Sequence, residues 1–565
     1  MKNLKYFLII LILIFGVLAS RTLFKHNFYF NMHDDLQMMR QLQLEKCFQD
    51  KQIPCRWVPD MGYKFGLPLF NYYPQLPYLV GEVFRLFNIP FNDVAKLTFA
   101  LGIIASGFAM FLMSKEYFGS VGGALSAIFY MWAPYRAVDV YVRGAMNESW
   151  AWVWFPLILW SSYKLVRSLK SKYVVILSLS FAALLLTHNV MVMIFAPVFL
   201  AWLIFWIFKE KSLRPLWPLT IAGFISLGLA AFFTLPAIFE QKLVHIDTLI
   251  TDYFQYSGHF TSFNQLFFSR FWGDGPSVFG TNDGMAFPVG HIHWILILII
   301  GILLVIKIWK KRKLDVSDWV IIFGILAGTF AAFMSHERST FIWLMFPTLK
   351  FVQFPWRFLT LNVFGYALAI GSLSYLLEQF IFFKKKNVQA VIFLAAAGAV
   401  VFLNWNFFTP VHGGPLTDEQ KFSGEAWRLQ TQAGIRDYLP VSAKDDPFKS
   451  RDFVAEVTTG KGEITDISSG TNWIRFNANL KGENNVVRIN VFNYPNWTVF
   501  IDGNKTVSYT DSNEEWGRIY FQIPSGEHAV YAKLLNTPLR TFANAVSLIT
   551  WVGLFIYLLR KKFFR

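Results

Sequence analysis

Long uncharged apolar runs, most of them closed on one side by lysines and arginines, divide most of this chain into a regular series. Tyr6–Ser20 follows Lys2 and Lys5. Val94–Met113 stops at Lys115, and Gly119–Trp132 leads to a short polar loop, Arg136–Ser149. Trp150–Tyr163 ends in Lys164, Arg167, Lys170 and Lys172. Tyr173–Thr187 and Met191–Phe208 form a hairpin around His188-Asn189, closed by Lys209, Lys211 and Arg214. Leu216–Leu235, Ile292–Ile308, Trp319–Met334, Phe358–Leu377, Val388–Trp405 and Phe542–Leu559 complete the series. Their basic ends are Lys310-Lys311-Arg312-Lys313, Lys384-Lys385-Lys386 and Arg560-Lys561-Lys562.

A helix needs roughly 20 apolar residues to cross a bilayer. Lysine and arginine collect in cytoplasmic loops. The pattern therefore predicts about twelve spans with both termini cytoplasmic. The first run also fits a signal peptide with a cleavage site after Val17-Leu18-Ala19, although an uncleaved anchor is the better reading.

Besides the outer loops Pro236–Gly290 and Ser335–Trp356, two polar regions interrupt the series on the outer side. The first loop, residues 21–92, opens with His33-Asp34-Asp35 directly after a membrane helix. The second, residues 409–540, alternates apolar and polar positions at Trp473–Ala478 and Val486–Val491, the period of half-buried strands. Trp497–Ile501 runs into Asp502-Gly503, a hairpin signal, and Ile519–Ile523 and His528–Leu534 add two strands. The expected organisation is a transmembrane domain over 1–408, an extracytoplasmic β-sandwich over 409–540, and a final helix with a basic tail over 541–565.

Composition agrees. The 565 residues are 55% hydrophobic and 16% charged, poorer in charge than the roughly 25% of soluble domains. The net charge of +16 sits in short inner loops rather than in one basic face, which argues against nucleic acid. All ten histidines fall in segments assigned to the outside. The inner loops are short and basic, and no GxxxxGK[ST] phosphate loop occurs, so an activated substrate should arrive from outside or from within the bilayer. Cys47 and Cys55, the only cysteines, lie in the first loop and can either close a disulfide or remain thiols.

The outer polar residues suggest transfer from a phosphate leaving group, which needs a base for the acceptor and cations for the developing charge. Asp34 and Asp35 are candidates for the base, or for holding a divalent metal such as Mg or Mn. They can equally cap a helix over Leu36–Phe48. Arg143 and Arg357, the latter closing Gln353-Phe354-Pro355-Trp356-Arg357, are candidates for phosphate. His33, His188, Asn189 and Gln353 are further candidates for substrate contact. Trp57, Tyr72 and Tyr73 offer rings on which a sugar could stack.

A first outer loop beginning with acids after one helix resembles the GT-C superfamily of glycosyltransferases that use polyprenyl-phosphate sugars. Five segments resemble bacterial multi-pass proteins described as "6-pyruvoyl-tetrahydropterin synthase related" and their YfhO-like relatives: His33-Asp34-Asp35, Ile53–Pro59, Gly66–Pro74, Leu186–Asn189 and Gln353–Arg357. Tyr494-Pro495-Asn496-Trp497 with Asp502-Gly503 and Pro524–His528 resembles the outer β domain of the YfhO-like group. This likeness implies a GT-C-like enzyme in a bacterial plasma membrane, with its active site outside. It would transfer a sugar from a polyprenyl-phosphate donor to a cell-envelope glycan, polymer or lipid, with inversion. It also implies that Asp34 or Asp35 takes the place of the first-loop catalytic acid. A transporter or lipid flippase, and a non-catalytic envelope assembly factor, are the alternatives.

Overall fold

The computed structural model describes residues 2–280, 282–311, 313–379 and 385–561. Arg312, Lys384 and Lys562 of the basic runs lie outside these residues. The chain divides into two compact units.

The first unit comprises the chain up to Gln37, Val83–Ser226 and Asp252–Leu416, and it is helical. Among the described residues of the whole chain, eight helices are long and apolar enough to cross a membrane, fewer than the twelve expected. Particular residues account for the difference. Phe91–Met131 counts once, although Gly119 breaks it in two at a φ of 70°, a left-handed conformation that glycine adopts without penalty. Leu4–Ala19 and Ser171–Leu185 are apolar but short. Met146–Ser168 carries Glu148, Lys164 and Arg167 within one helix.

The helices approach closely where side chains are smallest. A methyl group on Gly365 would lie 2.4 Å from the carbonyl oxygen of Gly324, so Val316–Ser335 and Leu359–Ile370 meet almost backbone to backbone. The helices His291–Lys311 and Val316–Ser335 are tied by Lys307, whose Nζ lies 2.6 Å from Asp318 and 2.8 Å from Asp315. Asp315 and Asp318 also cap each other's backbone in a capping box.

The second unit gathers Met38–Glu82, Leu227–Thr251 and the chain from Thr417 onward. A disulfide joins Cys47 to Cys55 at the end of the helix Gln37–Gln49. Its β domain corrects the expected sandwich. β1 (Phe28–Phe30) and β2 (Gly413–Pro415) pair within the first unit. The domain itself is one seven-stranded antiparallel sheet. Its strands are β3 (Ala455–Ser469), β4 (Trp473–Phe492), β5 (Trp497–Ile501), β6 (Asn504–Thr506), β7 (Ser508–Tyr509), β8 (Arg518–Ile523) and β9 (Gly526–Leu534).

The order is β6-β5-β9-β4-β8-β7, with β3 also on β4. The two alternating segments read as separate strands are one 20-residue strand, β4. Its first half pairs with β9 and its second half with β8, so one strand serves both ends of a curled sheet and no second layer is needed. Asp502 and Gly503, at φ of 50° and 80°, make the tight β5–β6 turn that this dipeptide favours.

Candidate active site

The first-loop carboxylates are placed by backbone pairing in the first unit. β1 pairs with β2, and the N–H of Asn31 continues the ladder to the carbonyl of His412 at 3.1 Å. The chain then crosses to another segment: the His33 N–H donates to Val142 O at 3.0 Å and the Asp34 N–H to Arg143 O at 2.9 Å. Gln37 Nε2 donates to Gly144 O at 2.7 Å and to the Asp34 carboxylate at 3.1 Å. Gly144 is required twice over: its φ is 63°, and a Cβ there would lie 2.3 Å from the Met32 sulfur. Asp34 and Asp35 occupy the turn before Gln37–Gln49, and both are partly exposed.

Beside them lies a buried network. The helix Pro134–Ala137 passes into a single π-helical turn, Val138–Val142, a distortion frequent at functional sites. This turn delivers Arg143 to two carboxylates, Asp139 and Glu148, each at 2.7 Å. Its guanidinium also lies over the Trp356 ring at 4.5 Å. Glu148 is the hub. Its Oε1 accepts from Tyr135 OH at 3.1 Å and Thr360 Oγ1 at 3.0 Å, and its Oε2 faces Arg143 and, at 3.5 Å, Arg357 Nε. Arg357 Nη1 donates to Val352 O at 2.9 Å and to Gln353 Oε1 at 2.8 Å. Arg136, fully buried, donates to Ser149 O at 2.7 Å and lies over Trp152.

The electrostatics are lopsided. Three guanidinium groups (Arg136, Arg143, Arg357) face two carboxylates, and burial together with neighbouring Glu148 pushes the Asp139 carboxyl well above the usual range. Burial alone would lower Arg143, but Glu148, Tyr135 and Asp139 hold it above its ordinary value. The cluster is a buried patch of net positive charge.

His188 caps the helix Asn189–Glu210 by accepting from the Val190 and Met191 N–H groups through Nδ1. Burial, followed by the charge of Arg357, brings its imidazole down to about 3. It therefore faces the arginines as a neutral ring. Asn189, the first residue of that helix, is exposed.

The fold thus brings His33, Asp34, Asp35, Arg143, His188, Gln353 and Arg357 into one unit. It does not make sugar platforms of Trp57 and Tyr72, which the pattern of outer aromatics had suggested. In the second unit Trp57 is 1% exposed against Trp497 and Tyr494. Tyr72 is buried on Tyr438, with its hydroxyl donating to Glu240 O at 2.7 Å. Tyr73 is half-buried, with the Arg40 guanidinium 4.2 Å from its ring. Among the described residues no three His, Cys, Asp or Glu side chains are grouped to hold a metal. Asp34 and Asp35 alone would need phosphate and water oxygens to complete an octahedral set.

The sequence pattern assigned no role to Asp139 and Glu148, and Tyr135, Thr360, Asp274 and His412 carried no signal of their own in it. Asp274 accepts from His33 Nε2 through its carbonyl at 3.0 Å and from His412 Nδ1 through its carboxylate at 2.8 Å. Only the outward placement of every histidine hinted at this. A groove of about 700 Å³ opens in the same unit, lined by Phe267, Trp294, Ile302, Val305, Ile325 and Tyr366. A lone hydroxyl pair, Tyr366 and Thr329 at 3.2 Å, interrupts its apolar wall.

No family model and no curated protein matches the chain, so the YfhO-like resemblance rests on its short motifs alone. Among solved structures, the mycobacterial arabinofuranosyltransferase AftD is similar over 74% of this chain and 28% of its own length, at 14% identity and a TM-score of 0.44. The Archaeoglobus fulgidus oligosaccharyltransferase in its apo form is similar over 80% of this chain and 61% of its own, at 14% identity and a TM-score of 0.41. With an acceptor peptide tethered, the same enzyme scores 0.35 over 72% of this chain and 56% of its own, at 15% identity. The chain spans between about a quarter and three fifths of these proteins. Superpositions this loose leave the site's own geometry to carry the functional argument.

Proposed function

We propose that this chain is a membrane glycosyltransferase of GT-C type, which moves a sugar from a polyprenyl-phosphate-linked donor to a cell-envelope glycan, polymer or lipid. One observation carries the reading. The hydrogen bond from the Asp34 N–H to Arg143 O ties the segment bearing two partly exposed carboxylates to the residue whose guanidinium anchors a buried cluster of net positive charge. A base next to an anion site is what glycosyl transfer from a phosphate requires.

In this reading Asp34 or Asp35 takes the proton of the acceptor hydroxyl. The acceptor oxygen attacks the anomeric carbon from the face opposite the phosphate, and the C–O bond to phosphate breaks. The lipid phosphate leaves with the electron pair, and the configuration inverts. Arg143 and Arg357, which share Glu148, hold the leaving phosphate, and its negative charge offsets the excess positive charge of the cluster. Gln353 and His188 set the arginines' surroundings rather than touching the sugar. The apolar groove supplies a seat for the isoprenoid tail. A divalent metal bound by the two aspartates would add a further positive charge at the phosphate.

The test is turnover of a panel of polyprenyl-phosphate sugars by protein in liposomes, with released polyprenyl phosphate read by mass spectrometry. Asp34→Asn or Asp35→Asn should lower the rate by about 100-fold or more, the usual worth of a positioned base, with folding intact. Equal turnover by wild type and both variants would remove the first loop from the active site.

A further inference from the structure

The solvent face of the β domain carries a feature that the transferase site does not use. Sheet register sets Lys505 (β6), Phe500 (β5), Tyr531 (β9), Arg475 (β4) and Ser468 (β3) side by side in one cross-strand row. The next row sets Thr498, Lys533 and Trp473 together. Residues directly opposite share a face. The alternate positions Ile474, Phe476, Val530 and Ala532 are buried, so these rows lie on the outward side.

An outward sheet face is ordinarily polar. This one holds three part-exposed aromatics, Phe500, Tyr531 and Trp473. Phe500 and Tyr531 are stacked, at 29° and 6.2 Å between centroids, so they form one aromatic shelf rather than an edge-to-face pair. Lys505 and Lys533 flank the shelf, the Arg475 guanidinium lies over the Tyr531 ring at 5.7 Å from its centroid, and neither row contains a carboxylate. Asp50, on which the charge of Lys533 acts, also accepts from the Thr471 N–H, the Thr471 hydroxyl and Trp473 Nε1. Five strands at about 4.8 Å spacing make the row roughly 19 Å long, room for several linked rings.

We infer that this shelf binds an anionic glycan, with sugar faces on Phe500 and Tyr531 and acidic substituents on Arg475, Lys505 and Lys533. Apolar faces of sugar rings suit flat aromatics, and the three cations of these rows select a chain bearing carboxylate or phosphate groups. The inference deepens the transferase reading by naming the acceptor's class, but the binding is measured without turnover, so the two can fail separately.

The experiment uses full-length protein in nanodiscs and three probes: hyaluronate oligosaccharides, neutral dextran oligosaccharides and polyphosphate. Wild type should bind hyaluronate at least tenfold more tightly than dextran or polyphosphate, and should weaken as salt rises. Phe500→Ala and Tyr531→Ala should each lose about tenfold in affinity for hyaluronate, while Tyr531→Phe, which keeps the ring, stays within about twofold. Arg475→Gln and Lys505→Gln should lose about fivefold each and flatten the salt dependence. These exposed exchanges leave the buried face of the sheet untouched, and unchanged thermal unfolding verifies that. Asp34→Asn should bind as wild type does. The inference is overturned by absence of hyaluronate binding, by equal binding of dextran, by polyphosphate binding as tight as hyaluronate, or by ring-deletion variants that bind like wild type.

Discussion

Two buried arginine–glutamate networks, one in each unit, look alike in composition and differ in completeness. In the second unit Glu240 accepts from Arg540 Nε at 2.8 Å, Asn71 Nδ2 at 3.0 Å and Thr537 Oγ1 at 2.7 Å. The nearby Arg56 is held by neutral groups alone: Asn71, Asn544 and the carbonyl of Phe232. Burial, followed by the charge of Arg540, lowers Arg56 to about 10. That network joins the first-loop segment, the end of Leu216–Phe239, the sheet residue Tyr494 and the last helix. In the first unit Glu148 is divided between two arginines, burial and Glu148 push the Asp139 carboxyl above its usual range, and the partly exposed Asp34 and Asp35 lie alongside. Buried charge alone is a poor sign of function. Buried charge left out of balance beside partly exposed carboxylates is a better one.

Removing either hub should give the largest effect. Glu148→Ala and Glu240→Ala each strand buried guanidinium charge, a change that costs about 3–5 kcal/mol, visible as a fall in unfolding midpoint in a fixed detergent. The glutamine variants separate the two. Glu240→Gln should cost about 1–3 kcal/mol and leave donor turnover per folded molecule unchanged. Glu148→Gln should cost a similar amount and also lower turnover, because the arginines it orients lose their shared anchor. Equal turnover loss in both would end the distinction between a structural and a functional network.

Arg357→Lys sharpens the same contrast with a smaller change. Lysine keeps the charge but loses the planar fork that reaches Val352 O and Gln353 Oε1 together. An increase of about tenfold in the KM for lipid-linked donor, roughly 1.4 kcal/mol, is expected, with kcat less affected.

How much of this was legible in the sequence depends on the range of the interaction. Apolar runs and their basic ends are local, and so is the acid pair after a membrane helix. Each reports physics within a few tens of residues, and Asp34, Asp35, Arg143 and Arg357 were all named from it. Thr360 meets Glu148 across 212 positions and His412 meets Asp274 across 138, with no periodicity to announce either. The sheet shows the same limit. Alternation revealed the faces of β4 but not that one strand would pair with β9 and then β8. Nor does an aromatic side chain disclose its burial: Trp57 is packed away in the interior, whereas Phe500 and Tyr531 lie half-open on the sheet.

The smallest expected effect belongs to His188, and its sign follows from its surroundings. Its imidazole is held neutral in the folded protein down to about pH 3, by burial first and by Arg357 second, whereas an unfolded histidine binds a proton near pH 6.5. Between those values the unfolded chain carries one more proton than the folded one. Stability therefore falls as pH drops below about 6.5, with a ceiling near 1.4 kcal/mol per pH unit. The ring is only half-buried, so solvent reduces that ceiling, and about 1 kcal/mol or less is expected between pH 7.5 and 5.5. His188→Gln keeps a side-chain acceptor for the cap and cannot titrate. The difference between wild type and this variant in unfolding midpoint should therefore shrink in its favour as pH falls. Parallel pH profiles for the two proteins would mean that burial and Arg357 do not hold the ring neutral, and the neutral ring would drop out of the description of the site.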